Sequence, residues 1–161
     1  MDKSHHGRRD RLVKQKRHDN YRASGKLPDH TMCSDCGCLY RAGRWTWVDT
    51  PPKKPNMTTC PACQRIKDNY PAGYVELKGQ FFENHYQEIS NLITNEEKME
   101  KTVYPLERII AVTGENDSTL ITTTGVHIAH RIGKALHRAY QGELVLNYGE
   151  GEKTIRVSWA R

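Results

Sequence analysis

Apolar positions are sparse at the start of the chain. Over residues 1–30 the only branched aliphatic side chains are the pair Leu12-Val13 and Leu27. Such a segment buries too little apolar surface to offset its ordering entropy. It predicts a largely disordered arm, with a short helix over 8–17 formed only on binding. Residues 44–48, Arg-Trp-Thr-Trp-Val, read as a strand, and 49–56, with Pro51, Pro52 and Pro55, read as a loop. A further strand is expected over 74–82, carried by Tyr74, Val75, Leu77, Phe81 and Phe82, with Gly79 as a candidate bulge.

A helix should follow, with Asn84 as its N-cap and Gln87 at capping-box spacing. Phe82, Tyr86, Ile89 and Ile93 recur at helical spacing, with Leu92, Met99 and Val103 one column over, and Pro105 is a stop signal. The remainder reads β-β-α-β-β. Strands over 108–113 and 119–123 flank a turn at 114–117. A helix then runs from Thr124 or Gly125 to Tyr140, with Ile128, Ile132, Ala135, Leu136 and Ala139 as its buried stripe and Gly142 as its end. A final hairpin pairs 143–148 with 154–159, with Leu144 and Leu146 alternating on one strand and Ile155, Val157 and Trp159 on the other. The predicted class is α+β: a basic, largely disordered arm (1–30), a Cys₄ zinc ribbon (31–72) and a small β-α-β-β-α-β-β module (73–161).

Composition narrows this picture. Hydrophobic residues make up 36% of the 161 positions, too small a share for one large core, which favours small modules with a metal staple. No apolar run is long enough to span a bilayer. The N-terminus is basic and polar rather than a secretory signal, so the expected compartment is the reducing cytoplasm, where thiols bind metal more readily than they pair. The net charge is +6, and its placement matters more than its size. Residues 1–30 hold nine Lys/Arg against four Asp, whereas 31–161 hold sixteen against fifteen Asp/Glu. A cationic arm on a nearly neutral body suits a polyanionic partner, because phosphate neutralisation releases counterions.

All five cysteines lie between 33 and 63. Cys33-Ser-Asp-Cys36-Gly37 and Cys60-Pro-Ala-Cys63 are two C-x₂-C knuckles separated by 23 residues. Two intervening residues let a tight turn aim both sulfurs at one ion, and two such turns close a tetrahedral shell. Gly37 supplies backbone freedom at the knuckle exit. The predicted metal is structural zinc, since four thiolates leave no open position for catalysis; a Cys₄ set also suits iron. Cys38 is surplus: it is a small side chain packed beside the site, a substitute for Cys36, or a free thiol.

Three groups are candidates for nucleic-acid contact. The arm offers Arg8, Arg9, Arg11, Lys14, Lys16 and Arg17. On the last predicted helix, His127, Arg131, Lys134 and Arg138 share the face opposite the apolar stripe, and no acidic residue interrupts 126–140. That face is equally readable as an ordinary solvated surface. Trp45 and Trp47, beside Arg44, either stack on bases or cover the ribbon's small core. Glu96, Glu97 and Glu100 read as a solvated helix face. No G-x-S-x-G, H-E-x-x-H or Walker A pattern is present, so no enzyme class is indicated.

The stretches Cys60-Pro-Ala-Cys63-Gln-Arg-Ile, Tyr70-Pro-Ala-Gly73 and Thr122-Thr-Thr-Gly-Val-His-Ile-Ala-His-Arg-Ile-Gly133 resemble a family of uncharacterised bacterial zinc-ribbon proteins of similar length. The two knuckles and the order of elements after Cys63 are more distantly similar to the archaeal and eukaryotic large-subunit export adaptor, the nonsense-mediated-decay protein three family. That adaptor has further knuckles and domains. The resemblance implies contact with ribosome or RNA. The expected function is therefore a noncatalytic, zinc-containing RNA-binding or ribosome-associated protein, with no membrane and no small-molecule substrate. The alternative is a zinc-ribbon protein-interaction or DNA-linked regulatory module.

Overall fold

A computed structural model describes residues 19–22 and 25–161. Arg8, Arg9, Arg11, Lys14, Lys16 and Arg17, and with them the helix expected over 8–17, lie outside the described residues. The fold is mixed α+β with two sheets and four helices among those residues.

The first sheet is small and carries the cysteines. Strand β1 (Thr31–Cys33) pairs antiparallel with β2 (Leu39–Arg41), which pairs antiparallel with β3 (Arg44–Thr46). A fourth strand, β4 (Asn56–Thr58), returns after the proline-rich loop to lie parallel to β1. Helix α1 (Pro61–Asp68) follows immediately. Residues 31–72 were expected to hold only strands and loops, so α1 is new. Its signal was present: Pro61 has the fixed φ and missing N–H that suit a first helical position, and Cys60 before it caps the helix with its sulfur.

The second sheet is the larger unit. Its order is β6-β7-β5-β9-β8, built from β5 (Gly73–Lys78), β6 (Ile109–Glu115), β7 (Ser118–Thr123), β8 (Glu143–Tyr148) and β9 (Ile155–Ala160). The central β5 runs antiparallel to β7 and parallel to β9. One face is covered by helix α4 (Val126–Tyr140), and helix α3 (Tyr86–Val103) packs against α4. Alternation does the sorting. Val75 and Leu77, Ile121, and Ile155, Val157 and Trp159 point into the core, where Ile128, Ile132 and Leu136 of α4 and Ile89 and Ile93 of α3 meet them. Trp159 is fully buried, and its indole N–H donates to the Gln141 carbonyl at 2.7 Å.

The strand expected over 74–82 ends at Lys78. Gly79 is no bulge: its φ is +109°, and a Cβ there would lie 2.3 Å from the Arg161 carbonyl oxygen. The chain turns at Gly79 into a short helix, α2 (Gln80–Asn84), so Phe81 and Phe82 are helical. Asn84 is not a cap; its side chain accepts from Gln80, and the long helix starts after His85 with no side-chain cap. Within α3, Tyr86, Met99 and Val103 are exposed although they share the apolar periodicity, and Ala139 of α4 is exposed as well. No helix of the described residues is long and apolar enough to cross a membrane.

Candidate metal centre

The two knuckles reach the centre by different backbone routes. Cys33 ends β1, and the chain turns back through Gly37, at φ +79°, before entering β2. The Gly37 N–H donates to the Cys33 carbonyl at 3.0 Å, and the Cys33 N–H donates to the Cys38 carbonyl at 2.8 Å. The second pair sits on the first turn of α1. The Cys63 N–H donates to Cys60 Sγ at 3.4 Å, and the Cys60 N–H donates to Cys33 Sγ at 3.2 Å. Helix N-termini present unpaired N–H groups and positive potential, which favour thiolates. Asp35, inside the first knuckle, pairs with Lys67 of α1 at 2.9 Å, and this contact holds its carboxyl below the usual range.

The sulfurs of Cys33, Cys36, Cys60 and Cys63 lie within 4.8 Å of one another and could hold a metal ion. A tetrahedral shell with Zn–S of about 2.3 Å has sulfur–sulfur edges of about 3.8 Å. The Cys36–Cys60 separation is 3.8 Å. Cys33, Cys60 and Cys63 are buried and Cys36 is half-buried. Trp45 and Leu106 pack against the cluster.

Cys38 lies outside this set of four. Its sulfur is 3.3 Å from that of Cys36, and the residue is fully buried. Hydrogen bonding to Cys60, then burial and its contact with Cys36, push the Cys38 thiol well up. Cys60 moves the other way, to about 4: the hydrogen bond with Cys38 stabilises its thiolate against burial, and the Cys63 backbone N–H adds to this.

One member of the site carried no sequence signal. Arg108, at the entrance to β6, is buried and aims its guanidinium into the cysteines. Its Nη1 donates to Cys63 Sγ at 3.2 Å, and its Nη2 donates to Cys36 Sγ at 3.1 Å and to Cys60 Sγ at 3.6 Å. Nε donates to the Pro105 carbonyl at 2.7 Å, which fixes the plane of the fork. Burial works against this charge; hydrogen bonding to Cys63 and the charge of Cys36 outweigh it, and its pKa is raised. The Arg108 cation at the entrance to β6, in the larger sheet, therefore closes the cysteine site carried by the smaller one.

A second buried arginine anchors the end of the arm. Arg65 of α1 pairs with Asp19 at 3.1 Å and donates to the Tyr70 carbonyl at 3.0 Å. Its guanidinium lies 4.3 Å from the Tyr21 ring centroid. Residues 19–22, assigned to the arm, are thus fastened to the body.

The remaining candidates are dispersed. Arg44 and His127 line the same cavity of ≈ 990 Å³ between the cysteine module and the larger domain. Lys134 and Arg138 are exposed farther along α4. Arg131 is committed elsewhere, pairing with Glu96 at 2.5 Å and Glu100 at 2.6 Å. These carboxylates are not a solvated face. Glu100 is buried, and Glu97 accepts from the Ile109 N–H at 2.8 Å. The acidic side of α3 is folded inward as the partner of α4 and β6. Trp45 covers the cysteines, while the Trp47 indole N–H donates to the Lys101 carbonyl of α3 at 2.7 Å. No protein family, curated protein or solved structure matches the chain.

Proposed function

We propose that the protein is a noncatalytic RNA-binding protein, ribosome-associated in its cellular setting, whose cysteine cluster is filled by one structural zinc ion. For zinc, the supporting features are a four-thiolate set with tetrahedral spacing, backbone N–H donors to the sulfurs, and no room for a substrate ligand in a closed shell. The zinc fixes the small sheet, and the small sheet with Arg65 fixes where the arm begins.

The observation that carries the RNA reading is the placement of charge. Residues 1–18 hold seven Lys/Arg against two Asp, a balance of +5 out of the net +6. Such a segment binds phosphate through counterion release, with the logarithm of affinity falling by about 0.7 per contact per logarithm of salt on single strands. Fluorescence anisotropy with a single-stranded RNA across a salt series tests this. The full chain is expected to show a steep slope, and a chain lacking residues 1–18 should lose about three to five units of it. An equal slope for both chains, or no binding at low salt, would contradict the reading. Sedimentation of a lysate at low salt adds a cellular arm, in which the protein should travel with ribosomal particles and shift to the top fractions after nuclease treatment.

A further inference from the structure

The cavity between the two modules unites two kinds of chemistry. Tyr40, Trp45 and Tyr104 line it with aromatic surface, and Tyr104 is well exposed. Arg22, Lys26 and Arg44 line it with positive charge. All three cations are exposed, and their side chains make no hydrogen bond or ion pair with the described residues. The acidic side chains of the same wall are already engaged. Asp19 faces Arg65 at 3.1 Å and Glu100 faces Arg131 at 2.6 Å, while Glu107 accepts from the Ile128 N–H at 3.0 Å, which leaves one carboxylate without a cation partner against the three cations. The charge left for a ligand is cationic.

Aromatic faces beside uncommitted cations suit a nucleobase joined to a phosphate, because every base offers a π face and the cations follow the backbone. The size is restrictive as well. A volume of ≈ 990 Å³ falls at the top of the range of about 300–1,000 Å³ that ligand pockets occupy, room for one or two nucleotides and not for a double helix. Asp19, which follows the basic stretch 1–18 in sequence, lines the cavity.

We propose that this cavity is a binding site for unpaired RNA, taking one or two nucleotides with bases on Tyr40, Trp45 and Tyr104 and phosphates on Arg44, Lys26 and Arg22. The assignment rests on the RNA-binding reading above and deepens it. The arm holds any nucleic acid by charge, and the cavity selects single strands.

The test uses the zinc-loaded full chain with three fluorescein-labelled probes: an RNA hexamer, a blunt RNA duplex with the same number of phosphates, and a DNA hexamer of the same sequence. Binding is read by anisotropy, and contact by ultraviolet cross-linking with peptide mapping. The RNA hexamer should bind about tenfold more tightly than the duplex. Arg44→Glu, and independently Tyr104→Ala, should each weaken the hexamer about tenfold and the duplex less than about twofold. Retained zinc and an unchanged circular dichroism spectrum verify that both variants are folded. Cross-links should map to Tyr40, Trp45 or Tyr104. Equal binding of hexamer and duplex, unaffected by either variant and with cross-links only in residues 1–18, would overturn the cavity assignment and leave the RNA-binding reading standing. Failure of both RNA probes to bind at low salt would overturn the two together. A DNA hexamer bound about tenfold more tightly than its RNA counterpart would overturn the assignment of the cavity to RNA.

Discussion

Arg108 binds one module to the other through a charge. A Cys₄ zinc shell would carry two net negative charges, and the buried guanidinium donating to Cys63 and Cys36 would offset one of them without competing for the metal. Replacing Arg108 by Met keeps volume and removes the offset. Zinc affinity, measured by competition with a chromogenic chelator, should fall about 10- to 100-fold. Arg108→Lys keeps the charge and loses the two-sulfur fork, so it should fall in between. Unchanged affinity in Arg108→Met would refute the offset. The neighbouring Glu107 tests a different force. Its carboxylate caps α4 from outside that helix, accepting from the Ile128 N–H. Burial raises its pKa above the ordinary 4.5, that hydrogen bond and the His127 and Lys153 charges pull it down, and Glu100 adds to the rise. A raised carboxyl contributes its full stability below 4.5 and loses it as pH rises through the folded value. Glu107→Gln retains an acceptor and cannot ionise. It should therefore melt higher than the parent at pH 7, with the gap narrowing as pH falls; calorimetry at a series of pH values reads this directly.

At the scale of elements, periodicity was legible wherever burial was one-sided. The β6–β7 hairpin, α4 and the β8–β9 pair lie close to their expected positions because apolar side chains recur every second or every third-to-fourth residue. Three features were not legible. The Phe81-Phe82 pair continues the apolar pattern of β5, and the turn between them is held by Arg161, far away in sequence, whose carbonyl accepts from the Phe81 and Phe82 N–H groups and whose N–H donates to the Lys78 carbonyl. Helix α1 is short and mostly polar, so cysteine spacing masked its Pro61 signal. The acidic face of α3 is polar in sequence and buried in space, because its partners Arg131 and the Ile109 N–H come from elements that local pattern cannot place. Gly133 offers a test of helix-on-sheet packing. Mid-helix Gly→Ala ordinarily stabilises by about 1 kcal/mol. Here an added Cβ would sit 2.7 Å from Cγ1 of the buried Val157 and 3.0 Å from Cδ1 of Leu144, which packs half-buried against the core. Gly133→Ala should instead destabilise by about 1–3 kcal/mol in urea unfolding.

For the whole molecule, the four cysteines that cluster were readable from spacing alone, while Arg108 was not, since a guanidinium 45 residues from Cys63 leaves no local trace. The cysteine module meets the larger sheet and its helices through Arg108 on the sulfurs, Leu106 against the cluster, Trp47 on α3 and Tyr70 on Glu152. A metal held at this junction would support both the small sheet and its docking. Chelation should therefore raise amide exchange across 31–68 and around Arg108, and leave the β5–β7–β9 centre protected, as hydrogen exchange with mass spectrometry would record. Uniform deprotection of both sheets would contradict this division. The most direct measurement is elemental analysis with X-ray absorption on protein purified without added metal. One zinc per chain, surrounded by four sulfurs at about 2.3 Å, is the predicted result. A chain without stoichiometric metal, or one whose metal is iron or is bound through nitrogen or oxygen, would contradict the account.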